Sequence, residues 1–215
     1  ALTLSNNLIA TSTGGSITDS GALAITGTTT LVTSANNATI VLDTTTNAFT
    51  GALTITTNDD SGTDADVTID GGTTALVIAA STIDGDLTLT SGHTSGITDT
   101  DTVTVGGNLA ATTDAGNGLI NMGTLAVDGT IALATHGTGA ATVVNDAGLN
   151  FAASTVGGNL AATATTGNMT DSGALVITGV TTIAAGSGNN ITLDHTSNNF
   201  QGAVQIISGN NVTLV

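Results

Sequence analysis

Short runs of alternating apolar and polar residues recur along the whole chain. Most are closed by Gly, Asn or Asp, which is typical of β-strands, and no window keeps the 3.6-residue apolar period of a helix. The pattern predicts strands at Asn7–Ser12, Ala22–Thr26, Thr39–Asp43, Ala52–Thr56, Val67–Asp70, Leu76–Ala80, Leu87–Thr90, Val103–Val105, Leu109–Thr112, Leu119–Met122, Leu125–Asp128, Ile131–Ala134, Thr142–Val144, Leu149–Ala152, Leu160–Thr163, Leu175–Thr178, Ile191–Asp194, Val204–Ile207 and Val212–Val215.

The chain also repeats itself. Val156–Gly179 matches Leu4–Gly27 at fifteen of twenty-four positions, and VGGNLAAT occurs at both Val105 and Val156. Ala75–Leu87 aligns in the same way with Gly148–Leu160. Repetition of this kind indicates stacked copies of one supersecondary unit.

The spacing of the repeats predicts the size of one coil. An apolar residue followed four positions later by Leu occurs at Leu4, Ile83, Val105 and Val156, at intervals of 79, 22 and 51 residues. Rungs of about three strands and 22–26 residues divide these intervals into whole numbers, although two-strand rungs of about 14 residues are an alternative. The sequence therefore predicts an all-β fold: a right-handed parallel β-helix (β-solenoid) with about eight or nine rungs, forming a single domain over residues 1–215.

Composition narrows the function. The chain has no Lys, Arg or Cys, and its sixteen acidic residues, all Asp, give a formal net charge of −16. Nucleic acids and anionic membrane surfaces are therefore excluded as partners, since almost nothing could neutralise a phosphate. No segment is long and apolar enough to insert directly into a membrane. With three Phe as the only Phe, Trp or Tyr residues, the core must consist of aliphatic side chains and Ala.

Five ordered motifs resemble the repeats of large secreted bacterial β-strand-repeat proteins, similar to filamentous-haemagglutinin-type adhesins. They lie at Gly158–Thr163, Thr170–Gly179, Asn189–Asp194, Asn199–Val204 and Gly209–Leu214, with a looser first set within Asn7–Leu53. The resemblance implies a parallel β-helix, an extracellular location at the cell surface, and a role in adhesion or in a fibre. It implies no catalytic residue. We expect a segment of a longer repeat protein or a filament subunit.

The expected partners follow from that interpretation. Strand-like sequence at both ends favours self-association, head-to-tail or laterally, into fibres. A glycan or a host or cell surface is the other expected partner. A binding module for glycan or ice is an alternative function, since Thr-x-Thr runs such as Thr88/Thr90 would project from one face of a strand.

The densest acidic run is the candidate for a cation site. Asp59, Asp60, Asp64 and Asp66 surround Gly62, and closely spaced carboxylates on a turn supply the oxygen ligands that Ca²⁺ prefers. The alternative is a solvated turn with no cofactor at all. Weaker versions of the same pattern are the pairs Asp84/Asp86 and Asp99/Asp101.

Other Asp and Asn residues recur at equivalent repeat positions. Asp19 corresponds to Asp171 and Asp43 to Asp194, and Asp at a corner accepts hydrogen bonds from turn amides. We therefore expect these four to cap strand ends. The Asn pairs are expected to serve the same turns, as side-chain ladders between rungs: Asn36/Asn37, Asn189/Asn190 and Asn198/Asn199.

An enzyme is not expected. A polysaccharide-degrading β-helix enzyme is the least favoured alternative, because a lyase needs a basic residue and the chain has neither Lys nor Arg. Paired carboxylates for hydrolysis could arise only by chance at adjacent corners. His93, His136 and His195 fall in unrelated repeat positions, so we expect exposed loop histidines and no metal cluster.

Overall fold

The computed structural model describes residues 1–58 and 64–215, which form 28 β-strands and no helix, and hence no helix that could cross a membrane. The first nine strands are β1 (Leu2–Leu4), β2 (Leu8–Ser12), β3 (Ile17–Thr18), β4 (Leu23–Ile25), β5 (Thr29–Thr33), β6 (Ile40–Leu42), β7 (Ala48–Phe49), β8 (Leu53–Thr56) and β9 (Val67–Asp70). The next eight are β10 (Leu76–Ile78), β11 (Ser81–Ile83), β12 (Leu87–Ser91), β13 (Ile97–Asp99), β14 (Val103–Val105), β15 (Leu109–Thr113), β16 (Ile120–Val127) and β17 (Thr130–Thr135). The last eleven are β18 (Ala141–Asn145), β19 (Leu149–Phe151), β20 (Ser154–Val156), β21 (Leu160–Ala164), β22 (Met169–Asp171), β23 (Leu175–Ile177), β24 (Thr181–Ala184), β25 (Ile191–Leu193), β26 (Asn199–Phe200), β27 (Val204–Ser208) and β28 (Val212–Leu214).

These strands stack as a parallel β-solenoid, which confirms the predicted fold class. Each strand pairs in parallel with the strand one turn away, as in Leu8 with Thr29 and Leu160 with Thr181, both 21 residues apart. The step ranges from 19 residues (Ala141 to Leu160) to 27 (Ile40 to Val67). The chain makes about ten turns of about 21 residues, more turns and shorter ones than predicted. The right-handed sense stays a prediction.

The core is a set of aliphatic ladders along the solenoid axis. Alternate residues of each strand point inward and are buried, which gives most strands the pattern buried, half-buried, buried. One ladder contains Val67, Leu87, Leu109 and Ile131, all nearly inaccessible to solvent. Each such side chain contributes about 1.5–3 kcal/mol of burial free energy, while the backbone hydrogen bonds run between turns.

One strand in each turn is longer than the other two, and its position changes twice. The long strands are β2, β5 and β8 in the first section, then β9, β12, β15 and β17, and finally β18, β21, β24 and β27. Within each section long strands pair with long strands. The solenoid therefore consists of three sections that place the long strand on different faces.

A long strand splits into two short ones where a section ends. β8 pairs at its start with β10 (Leu53 with Ile78) and at its end with β11 (Thr56 with Thr82). In the same way β17 pairs with both β19 and β20. Each split lies at the sequence Ala-Ala-Ser-Thr, and we call Ala79–Ser81 and Ala152–Ser154 the splitting corners.

The serine of each splitting corner replaces a backbone partner. Ser154 Oγ accepts a hydrogen bond from the Leu133 amide at 3.0 Å and donates to the Ala152 carbonyl at 2.9 Å. Ser81 does the same with the Ile55 amide at 3.0 Å and the Ala79 carbonyl at 2.8 Å. Because the chain turns a corner below the middle of the long strand, that amide would otherwise be buried without an acceptor.

An asparagine completes the opposite change, in which two short strands become one long strand. Asn145 is 1% exposed at the end of β18, beside the end of β16. Its Oδ1 accepts the Val127 amide at 2.8 Å, and its Nδ2 donates to the Val127 carbonyl at 3.0 Å and the Gly148 carbonyl at 2.7 Å. The amide side chain thus pairs with the backbone as another strand residue would.

Candidate functional site

An aspartate and an asparagine one turn later form the first corner cap. Asp19 follows β3, and its Oδ2 accepts from Asn47 Nδ2 at 2.7 Å and from the Thr44 amide at 3.4 Å. Asn47, 1% exposed, accepts the Leu23 amide at 2.8 Å and donates to the Leu42 carbonyl at 3.2 Å. The cap thus connects three consecutive turns.

The same cap occurs at the other end of the solenoid. Asp171 Oδ2 accepts from Asn198 Nδ2 at 2.7 Å and from the His195 amide at 3.3 Å, and Asn198 Oδ1 accepts the Leu175 amide at 2.8 Å. The predicted capping role of Asp19 and Asp171 is therefore confirmed. Their Asn partners, which lie 28 and 27 residues later, were not identified as partners from the sequence.

The predicted capping by Asp43 and Asp194 is wrong. Both side chains are exposed, and neither accepts a hydrogen bond within the described residues. Each lies one position past its strand, where the carboxylate points into solvent. A third cap comes instead from Asp99, whose carboxylate accepts the amides of Gly123 at 2.9 Å and Thr124 at 2.8 Å.

A ladder of side chains precedes the long strands of the second section. Asp66 Oδ1 accepts the Asp86 amide at 2.8 Å, Asp86 Oδ1 accepts the Asn108 amide at 2.7 Å, and Asn108 Oδ1 accepts the Thr130 amide at 2.8 Å. Asn159, in the other copy of VGGNLAAT, accepts the amide one turn later at 2.9 Å. The repeated Asn is therefore a link between turns.

Asparagine ladders are present where the Asn pairs predicted them. Asn168 Oδ1 accepts the Asn190 amide at 2.8 Å, and Asn190 Oδ1 accepts the Asn211 amide at 3.2 Å. On another corner, Asn58 Nδ2 donates to Asn36 Oδ1 at 2.8 Å. Asparagine thus links successive turns by the hydrogen bonds that Asp makes elsewhere, without adding charge.

The structure covers part of the predicted cation site. Asp59 and Asp60 lie outside the described residues. The carboxylate of Asp64 accepts from the Asn37 side chain, with that amide oriented so that its nitrogen faces the carboxylate, and Asp66 belongs to the ladder above. Within residues 1–58 and 64–215, no group of three or more His or Asp is arranged to hold a metal ion.

Several carboxylates lie near one another along one corner of the first turns. Partial burial raises the pKa of Asp70 above its ordinary value of 3.8. A hydrogen bond from the Gly72 amide, at 2.7 Å, opposes this increase, and the negative charges of Asp114, Asp43 and Asp19 add to it. The corner therefore disfavours a further negative charge at neutral pH.

Two of the three histidines hold their own turns. His93 Nδ1 accepts the Ser95 amide at 3.0 Å, and His195 Nδ1 accepts the Ser197 amide at 3.2 Å. The local sequence is His-Thr-Ser in both, a shared pattern that the repeat alignment did not reveal. His136 is exposed, and its backbone amide donates to the hydroxyl of Thr113.

Outward threonines form a row on the last turns. Thr170, Thr192 and Thr213 are paired in register on successive turns, and Asn150 precedes them one turn earlier. Adjacent members are separated by the interstrand spacing of about 4.8 Å. In the middle section, by contrast, Thr88 lies beside Ala110, so the outer surface there is not uniformly threonine.

Residues 1–56 and 138–207 match a family described as repeats of unknown function (DUF5649). The two segments together make up more than half of the chain. The chain belongs to this family. No curated protein and no solved structure matches it.

The two DUF5649 segments follow the sections of the solenoid. The first ends at the last residue of β8, where the first split begins, and the second starts three residues before β18. The DUF5649 segments thus contain the first and third sections, with the Asp19 and Asp171 caps. The middle section lies between them, with its long strands on a different face.

Proposed function

We propose that this chain is a non-enzymatic structural segment of an extracellular bacterial protein, namely an adhesin, surface fibre or sheath. The observation that carries the proposal is the work done by its polar side chains at the corners. Asp19, Asp171, Asn108 and Asn159 each accept hydrogen bonds from the next turn. The repeated motifs therefore maintain a rod, which suits a segment of a longer repeat protein or a filament subunit.

Composition supports an exposed location. The net charge of −16 keeps rods soluble and apart along their sides. A chain with no Lys or Arg also offers no cleavage site to a trypsin-like protease. Partners at the surface would be a glycan, a host or cell surface, or other copies of the chain.

Antibody accessibility tests the location. Antibodies raised against the 215-residue chain are expected to label intact cells of the source organism as strongly as permeabilised cells. Antibodies to a cytoplasmic protein provide the control and should label only permeabilised cells. Labelling that requires permeabilisation would overturn the proposal.

A binding module for a glycan or an ice surface is the second candidate. The row of Thr170, Thr192 and Thr213 favours it, because hydroxyl and methyl groups recur there at one regular spacing. Thermal hysteresis and glycan-array binding are the measurements. Replacing Thr192 by Val should reduce binding if the row is the contact surface, with Thr88→Val as the control. Binding unchanged in Thr192→Val contradicts that assignment.

A Ca²⁺ site at Asp59, Asp60, Asp64 and Asp66 is proposed within the same structural role. Oxygen ligands from a turn would bind the ion and reduce the repulsion among four carboxylates. EDTA is expected to lower the melting temperature and added Ca²⁺ to restore it. Asp64→Asn should weaken the response, whereas Asp194→Asn, far from the turn, should not. A melting temperature unaffected by EDTA removes the site.

A further inference from the structure

The exposed aliphatic side chains of the solenoid are concentrated at its two ends. Of eight large hydrophobic side chains that are exposed in the described residues, seven lie in the first or last turn: Leu2, Ile9, Ile206, Ile207, Val212, Leu214 and Val215. Ile9 is 74% exposed and Ile207 66%, more than any of the others. The eighth, Leu119, lies in the middle of the rod.

The backbone of the end turns is also open on one side. Along the stack, the amide that begins each long strand donates to the carbonyl just before the next long strand, as from Leu8 to Thr28 and from Thr181 to Ala203, both at 2.9 Å. Val204 begins the last long strand, and its amide has no such acceptor in the described residues. An unpaired strand edge of this kind is a template for another strand.

The strand order at the two ends is complementary. The turns of the first and third sections follow the order long, short, short. The last turn contains the long strand β27 and the short strand β28, and the chain begins with the short strand β1 followed by the long strand β2. A first turn placed after a last turn therefore continues the order without interruption.

We propose that the two ends are complementary docking surfaces, on which the last turn of one copy pairs in parallel with the first turn of a second copy. β27 lies beside β2, β28 beside β3, and β1 of the second copy lies beside β26. The proposal deepens the structural function above and rests on it. Because the two surfaces differ, the contact does not close and copies add head-to-tail into a filament.

This arrangement satisfies the unpaired groups at the junction. The Val204 amide gains the carbonyl of Asn7 as its acceptor, by analogy with the internal turns. Leu8 aligns with Val204 and Ile9 with Gln205, which places Ile9 beside Ile207 on the outer face. The two most exposed aliphatic side chains thus cover each other.

A pair of cysteine variants tests this register, because the chain has no cysteine of its own. Ile9→Cys and Gln205→Cys are purified separately, mixed and oxidised. A disulfide between the mixed variants is expected, since directly paired residues fall within the Cα separation that a disulfide bridges. Ile9→Cys mixed with Leu119→Cys is the control and should give no more product than random collision.

Sedimentation over a range of protein concentrations tests association itself. The wild-type chain should form oligomers of increasing length, and Ile9→Asp should raise the dissociation constant at least about tenfold because it places a charge in the buried junction. Leu119→Asp should leave association unchanged. Circular dichroism verifies that each variant is folded.

Monodisperse monomers at all concentrations, as expected if further turns of a longer chain cover both ends, would overturn the proposal. So would equal cross-linking of Leu119→Cys and Gln205→Cys to the Ile9→Cys partner. Surface labelling of cells alongside a monomeric chain would reject the docking surfaces alone. Absence of surface labelling would reject the proposed function.

Discussion

Single aspartates in this solenoid act as acceptors for the next turn. Asp171 receives the side chain of Asn198 and two backbone amides, and Asp19 is placed in the same way. A carboxylate suits this position because it can accept several hydrogen bonds and tolerates exposure to water. Its position directly after the short strand decides the role, since Asp194 is exposed to solvent.

Removing a cap should destabilise the rod measurably. Asp171→Ala leaves the Asn198 amide and two turn amides without their acceptor, so we expect a loss of about 1–3 kcal/mol in the free energy of unfolding. Asp194→Ala should change it by less than about 0.5 kcal/mol, as at other exposed positions. Urea denaturation followed by circular dichroism measures both. Equal effects of the two variants contradict the assigned cap.

Asp70 should make the stability depend on pH. Its pKa is raised in the folded chain, so its charged form destabilises the fold at neutral pH and its protonation stabilises it. Asp70→Asn keeps an acceptor for the Gly72 amide and removes the charge. The variant should melt at a higher temperature than wild type at pH 7.

This gain should shrink as the pH falls through the raised pKa and vanish below the ordinary value of 3.8, where Asp70 is protonated in both states. Asp128→Asn, at an exposed corner, is the control and should show less pH dependence. A gain in Asp70→Asn that stays constant from pH 7 to pH 3 would argue against burial as its cause.

At the scale of strands, the splitting corners decide where the long face lies. Ser81 and Ser154 occupy the same place in two copies of Ala-Ala-Ser-Thr, and each accepts the middle amide of the long strand in the preceding turn. A hydroxyl suits this place because it can accept from that amide and donate to a carbonyl two residues earlier. The corner can thus move the long strand to another face without leaving a buried amide unpaired.

Ser154→Ala should therefore be costly. It leaves the buried Leu133 amide without an acceptor, for an expected loss of about 1–3 kcal/mol in the free energy of unfolding. Thr155→Ala, at the exposed neighbouring position, serves as the control and should cost less than about 0.5 kcal/mol. Hydrogen exchange of the Leu133 amide gives a local test: exchange as slow in Ser154→Ala as in wild type would show that the hydroxyl is not its protecting acceptor.

The strand pattern was predictable where the inward positions are aliphatic. Val67–Asp70 and Val103–Val105 were placed at their observed bounds, because their apolar residues alternate. Thr29–Thr33 was missed because two of its three buried residues are threonines. Two-residue strands such as Ile17–Thr18 give too short a pattern, and the missed strands are why the number of turns was underestimated.

The corner chemistry was predictable only in part. Repetition identified Asp19 and Asp171 as equivalent, and their chemistry predicted a cap. The partners Asn47 and Asn198 lie one turn away in space, and their contact depends on turn lengths that vary from 19 to 27 residues. The alignment of the two Ala-Ala-Ser-Thr copies was visible as well, but the split requires the register of the preceding strand.

For the whole molecule, unbalanced negative charge is the main opposing term. The net charge of −16 has no Lys or Arg to offset it, so repulsion acts along the entire rod. Raising NaCl from about 0.05 M to about 0.5 M shortens the screening length severalfold and should raise the melting temperature. A parallel series in sucrose separates screening from solvent exclusion. A melting temperature that falls with salt contradicts this view.

The rod shape also links structure to location. About ten turns at about 4.8 Å each give a length on the order of 45 Å, and stacked copies would extend it into a fibre. Such a rod needs no catalytic centre to act as a spacer or as a surface. Its use at the cell surface is the central claim.

Mild shearing of cells of the source organism, followed by cryo-electron microscopy of the released material with antibody labelling, tests that claim most directly. We predict labelled fibres with an axial repeat of about 4.8 Å, the interstrand spacing of a parallel stack. The antigen found only in the soluble cytoplasmic fraction, with no labelled fibre in the sheared material, would contradict it.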